Sequence, residues 1–260
     1  MRALHAEWIK LWSVRSTWIA LGVAVACTAG LGLADTVSAV RSWDAMPAAD
    51  RAAFDPLGSA FAGLTFAQLA LGVLGVLTVT SEYSSGTIIP ALTAQPRRST
   101  AFAAKAGTVF GVALVIGETL AFGSYLLGQA VLHGKHLDVS LGTPGVLRSV
   151  LSAGLYLCVV TMVGFGLGAL LRHPAGATAA LIAVVFLAYG AAKAMEGWSY
   201  LPSRLLLSNA GDMVAQVHAV AAKPRLPSLA LAYLDLALYF TAALGLGAWR
   251  SSNCQYLWMK

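Results

Sequence analysis

Charge is what this chain has least of: of its 260 residues only 11% are Asp, Glu, Lys or Arg, against 58% hydrophobic, and its mean hydropathy is +0.73. Globular domains carry about a quarter charged residues, so a water-soluble fold of this length would have to expose much of its apolar content. Cysteine is scarce as well. Cys27 and Cys158 fall inside apolar runs and Cys254 lies in the C-terminal tail, which excludes a disulfide framework. No His, Cys, Asp or Glu set has metal-ligand spacing, and the nearest pair, His133 and His136, reads as part of a solvated loop. There is no Gly-x-x-x-x-Gly-Lys-Ser/Thr, so no P-loop exists to cradle a nucleotide's phosphates. Neither a metal nor a cofactor is expected on the chain itself.

What is present is a series of apolar runs, each about as long as the 20 residues a helix needs to cross a bilayer. The expected fold is therefore all-α and integral to a membrane, one domain over 1–260 with six transmembrane helices. They are placed at about 17–34, 57–80, 106–127, 147–171, 175–192 and 228–249. Residues 1–16 precede them as an amphipathic helix, with Leu4, Trp8, Leu11 and Trp12 on one arc, lying in the headgroup plane. Ile9 falls off that arc and Arg15 on it, at the end where a long side chain can snorkel to phosphate. A secretory signal is the rival for this segment, but no small-residue cleavage site follows the first apolar run. Arg172-His173-Pro174 is a tight hairpin, its proline stopping one helix and starting the next.

The formal charge of +6 does not point to nucleic acid, because the basic residues flank apolar spans instead of forming a stripe. The lipid bilayer is the partner they imply. Six spans put both termini on one side. With that side cytoplasmic, Lys10, Lys105, Arg172 and Arg250 are inside, whereas Arg41, Lys135 and Arg148 are outside. The three basic residues within the first 16 decide the orientation.

Three groups of residues are candidates for function. Glu118 and Asp235 each lie inside an apolar span, where an ionised carboxylate costs about 2.5–3.5 kcal/mol or more. Both fall roughly 2–5 Å outward of the midplane, so they could line one cavity. They read either as a polar patch in a substrate path or as protonated side chains that specify helix packing. Gly164 with Gly168, and Gly107 with Gly111, are one turn apart and form small-residue packing faces. The third group is the polar island Ser81-Glu82-Tyr83-Ser84-Ser85-Gly86-Thr87 with Gln95-Pro96-Arg97-Arg98 and Lys105 behind it. Gly86 and Pro90 interrupt any continuous helix there, so a short cytoplasmic helix between turns is expected over 81–105. The simpler alternative makes Arg97, Arg98 and Lys105 positive-inside anchors on a loop that touches nothing.

Three stretches carry a family resemblance: Glu7-Trp8-Ile9-Lys10-Leu11-Trp12-Ser13-Val14-Arg15-Ser16-Thr17-Trp18, Thr80-Ser81-Glu82-Tyr83-Ser84-Ser85-Gly86-Thr87-Ile88 with Pro96-Arg97-Arg98 and Lys105, and Gly166-Leu167-Gly168-Ala169-Leu170-Leu171-Arg172-His173. In their order and spacing the chain resembles the ABC-2 type permease subunit of bacterial ATP-binding-cassette transporters, particularly the actinobacterial kind. The resemblance implies a plasma-membrane permease, not itself an enzyme, that pairs with a second permease copy or homologue. It docks on separate ATP-binding subunits, which hold ATP and Mg. The loop after the second span would be the coupling helix seated in the ATPase, a role falling on Glu82, Tyr83, Ser84, Ser85, Gly86 and Thr87. Where the family often has a basic residue after this motif, the chain has Ile89-Pro90-Ala91-Leu92, and proline at a first helical turn lets that helix begin later. The alternatives are a non-transporting anchor or sensor on the same scaffold, and a membrane enzyme using Glu118 and Asp235, which lacks a nucleophile placed beside them.

Overall fold

The computed structural model describes residues 2–84, 98–187, 206, 207, 210, 211, 215 and 229–252. Every regular element among them is helical. Helix α1 (Arg2–Ser13) is followed by a single extended residue, Val14, and then by α2 (Arg15–Ser42). The corner is held by side chains that satisfy the end of α1. The Thr17 hydroxyl donates to the Leu11 carbonyl at 2.7 Å and Trp18 Nε1 to the Trp12 carbonyl at 3.1 Å. These carbonyls have no partner within their own helix.

The second expected span is not one helix. A short α4 (Pro56–Phe61) precedes α5 (Leu64–Ser84), and the chain turns at Ala62 and Gly63 between them. Asp55 caps α4 by accepting from the Leu57 amide at 3.1 Å, with Pro56 at the first helical position. The cause of the break is contact with α2. A Cβ on Gly63 would lie 2.4 Å from the Cys27 carbonyl and 2.5 Å from that of Thr28, so the backbone can turn there only without a side chain. The Ala60 carbonyl, left over at the end of α4, accepts from Ser124 Oγ at 2.6 Å. A five-residue helix, α3 (Ala48–Ala52), lies between α2 and α4.

Helix α6 (Arg98–Leu132) runs 35 residues, about 52 Å at 1.5 Å per residue. It therefore overshoots the expected 106–127 at both ends. Helix α7 (Val146–Leu171) ends in a left-handed Arg172, and α8 starts at Pro174 (Pro174–Ile182) with the His173 ring accepting from the Gly176 amide. The hairpin thus has the form expected of Arg172-His173-Pro174. A π-helical turn, Ala183–Leu187, continues α8, and α9 spans Leu229–Ser252. Five of these helices are long and apolar enough to cross a membrane: those at Arg15–Ala45, Leu64–Tyr83, Ala101–Lys135, Val146–Leu171 and Leu229–Arg250. The described residues therefore hold five spans, not six. The remaining one, expected at 175–192, is described only as far as Leu187, and the rest lies outside the described residues.

Helix α7 is the hub, packing against α5, α6, α8 and α9. Hydrocarbon tails are as apolar as leucine, so close backbone approach, more than burial from water, brings such helices together. Gly75 of α5 is pressed on α7, where an added Cβ would sit 2.0 Å from the Thr161 carbonyl. Several hydroxyls within the spans bond back to the preceding turn, as Thr80 does to Val76 at 3.0 Å and Thr161 to Leu157 at 2.8 Å, and so enter apolar surroundings with their donors satisfied; the buried Thr28 hydroxyl has no partner among the described residues.

Glu118 and Asp235 lie within spans, whereas the charged residues that contact one another separate to the two ends. Glu7, Lys10, Glu82, Lys105, Arg172 and Arg250 gather at one, while Lys135 bridges Asp44 at 2.6 Å at the other.

Candidate functional site

The densest polar contacts lie where α5 ends and α6 begins, the two roots of residues 85–97. Lys105, near the start of α6, is 14% exposed at its side chain and reaches Glu82 Oε1 at 2.7 Å, Glu7 Oε2 at 3.0 Å and the Thr78 carbonyl at 3.3 Å. Those three acceptors match an ammonium's three donors. Lys10 of α1 reaches the same Glu82 oxygen at 2.6 Å and Glu7 Oε1 at 3.4 Å. Two acids and two bases thus form one neutral cluster that ties α1 to both roots at once. Burial pulls the Lys10 ammonium down, but its hydrogen bond to Glu82 and the charges of Glu82 and Glu7 outweigh that, so it titrates above the ordinary lysine value.

Apolar contacts bring the groups together. Leu11 is 8% exposed and packs with Val79, Ala106 and Val109, which turns the Glu7 and Lys10 face of α1 toward α5 and α6. Beside them Trp8, Trp12 and Trp18 pack as tilted rings with centres 5.7 and 5.2 Å apart, and Trp8 and Trp18 are exposed. The expected apolar arc is therefore divided: Leu11 goes to the protein and Trp8 does not. Beneath the cluster, between α1, α5 and α6, lies a cleft of about 350 Å³ with Leu74, Leu77 and Val109 in its walls.

Tyr83 joins this end through a second contact. The Arg172 guanidinium stands 5.2 Å from the centre of its ring and donates to the Arg250 carbonyl at 3.0 Å. The α7–α8 corner, the end of α9 and the end of α5 are linked in this way.

Of the residues singled out in the loop, Glu82 and Tyr83 are placed as above, Ser84 ends α5 and Arg98 begins α6. Ser85, Gly86, Thr87, Arg97 and the expected coupling helix lie outside the described residues. Within the expected coupling loop, the Glu82 carboxylate bonds Lys10 and Lys105. Sequence reasoning missed Glu7. The signal available was Glu7 and Lys10 at i, i+3 in an otherwise largely apolar lead-in.

Glu118 of α6 lies against α7, where a Cβ on Gly154 would come within 2.5 Å of its Cδ. Its Oε2 is buried and has no hydrogen-bond partner among the described residues. Asp235 of α9 is 6% exposed. The hydroxyls of Ser152 and Tyr233 are bonded, and Gly166 meets Ala243, so α7 and α9 run parallel and Asp235 stands level with Gly154 and hence with Glu118. Neither carboxylate lines the cleft under α1 or a second one of about 310 Å³, where Tyr156 donates to Gln68 and Gln68 to the Thr65 carbonyl at 2.7 Å. Gly164 and Gly168 stand against α5, with added Cβ atoms 2.1 Å from the Gly72 carbonyl and 2.9 Å from that of Val76. Gly107 and Gly111 meet nothing within 4 Å, so no described helix of this chain packs on that face. Among the described residues no three His, Cys, Asp or Glu side chains are grouped to hold a metal.

No protein-family model matches this chain, and no curated protein or solved structure is significantly similar to it.

Proposed function

We propose that this chain is the membrane-spanning permease subunit of an ATP-binding-cassette exporter in a bacterial plasma membrane. The observation that carries this reading is the ionic tie from α1 to both roots of the 85–97 segment. A partner pushing on that segment moves α5 and α6, and the shared Glu82 carboxylate passes the displacement to α1. Tyr83 and Arg172 extend it to the corner of α7 and α8 and the end of α9. The partner is a separate ATPase that binds ATP and Mg. This chain contributes helix rearrangement and no covalent chemistry. A second copy or homologue completes the path, and the exposed Gly107–Gly111 face is one place for it to pack.

Both termini are cytoplasmic in this proposal. Among the described residues Arg2, Lys10, Arg15, Arg98, Lys105, Arg172 and Arg250 belong to the α1 end, against Arg41, Arg51, Lys135 and Arg148 at the other, and that excess of basic residues supports this side. The test is co-purification of the tagged chain from its native host in mild detergent. A stoichiometric ATP-binding-cassette ATPase, lost on replacing Gly86, is the expected outcome. Its absence even after crosslinking would transfer the chain to the class of membrane anchors or sensors.

A further inference from the structure

The cleft under α1 combines charge at its mouth with apolar walls below. From Glu82 to Leu74 is eight residues of α5, about 12 Å along the helix, and over that distance the lining changes from ions to leucine. A phospholipid has the same gradient from phosphate to acyl chain. The volume of about 350 Å³ lies within the range of about 300–1,000 Å³ typical of ligand sites, which are mostly apolar with a few placed polar groups. Its mouth is at headgroup depth, because the tilted, mutually packed indoles of Trp8, Trp12 and Trp18 flank α1 and two of them are exposed. It opens beside Lys10 and Val14, both exposed.

We infer that this cleft seats part of one anionic phospholipid, its phosphodiester at Lys10 and Arg15 and the upper segment of one acyl chain running along Leu77 and Val109, with the rest of the lipid in the bilayer. Charge selects the headgroup. The cluster of Glu7, Lys10, Glu82 and Lys105 is neutral by itself, and the exposed Arg15, between the lining residues Val14 and Ser16, leaves the mouth one positive charge in excess. Lys105 has all three donors engaged, whereas Lys10 bonds Glu82 and Glu7 and is 47% exposed at its side chain, which leaves it a donor for the mouth. A lipid of net charge −1 balances the excess, and a zwitterionic one does not. The inference requires only that the chain lies in a bilayer and stands whether or not it transports anything.

The experiment is native mass spectrometry of the purified full chain, with melting temperature followed after delipidation and readdition of phosphatidylglycerol, phosphatidylcholine or inorganic phosphate. One phosphatidylglycerol is expected to remain bound and, on readdition, to raise the melting temperature more than phosphatidylcholine does, while inorganic phosphate has no effect. Leu77→Trp, which fills the cleft and leaves every charge in place, should lower retention at least tenfold. Arg15→Gln should keep a lipid but lose the preference for the anionic one. Wild-type protein that retains no lipid, responds equally to both lipids, or responds to phosphate alone overturns the inference. So does Leu77→Trp protein that retains phosphatidylglycerol as well as wild type. Should Leu77→Trp fail to fold, the Arg15→Gln preference and the wild-type lipid response decide.

Discussion

Lys10 and Glu82 are 72 positions apart in the chain and 2.6 Å apart in the fold. Their contact makes the N-terminal helix part of the same mechanical unit as the roots of residues 85–97, and the first two predictions concern it.

The two lysines of the cluster should differ in weight. Lys105 is largely buried and has three acceptors, and removing one partner of such a pair leaves carboxylates poorly compensated. Lys105→Met is expected to destabilise the fold by about 2 kcal/mol. Lys10→Met, at a half-exposed site, is expected to cost less than about 1 kcal/mol. Thermal unfolding in detergent compares them, and an equal or reversed order contradicts the geometry.

Attachment of α1 should not respond to pH across the neutral range and well above it. A lysine whose folded value is raised contributes stability that is complete below the ordinary lysine value of 10.5 and is lost only as pH rises through the higher folded value. Limited proteolysis within α1 is therefore expected to stay constant from about pH 7 to pH 10. Release of the helix at pH 8 or 9 would show that Lys10 is not held as described.

The glycines divide into two classes that substitution can separate. Gly75→Ala forces a methyl group into the Thr161 carbonyl and is expected to cost about 3 kcal/mol or more, near the upper end of overpacking penalties. Gly107→Ala and Gly111→Ala place the same group in open space and should leave the fold of the single chain intact. If a second copy packs on that face, those two variants lower the oligomer mass by size-exclusion chromatography with light scattering while the melting temperature holds.

Glu118 has a buried oxygen without a hydrogen-bond partner among the described residues, so its carboxylate is not a source of stability. Glu118→Gln is expected to leave the melting temperature unchanged or raise it and, if the chain is the transport permease proposed above, to change transport or its pH dependence in vesicles. Normal transport together with normal assembly would leave the carboxylate without a functional part.

The long apolar runs were legible as helices because twenty apolar residues in sequence have few other ways to satisfy their backbone in lipid. Boundaries were less so. Gly63 breaks the second run because of carbonyls on α2, and nothing in residues 57–80 alone announces that contact. Helix α6 continues past Leu127 to Leu132, and the segment after it is held by contacts across the turn, the Tyr125 hydroxyl donating to the Val139 carbonyl and the Val139 amide to Gln129. Of the candidate site, Glu82 and Tyr83 were named but their partners were not. Lys105 read either as part of the polar island or, in the simpler alternative, as an anchor beside the headgroups, and in the fold it is the largely buried centre of the ion cluster.

Hydropathy adds residue by residue, so composition and run length alone pointed to a helical membrane chain with basic residues at the span ends. Ion pairing does not add in that way. Whether Glu7 meets Lys105, or Gly164 meets Gly72, depends on how α1, α5, α6 and α7 pack, and only the tertiary structure decided it. A charge near the end of a span reads the same in sequence whether it faces water, lipid phosphate or another chain. The close approach of α5 to α7 and the burial of Leu11 turn Glu82 inward to Lys10 and Lys105.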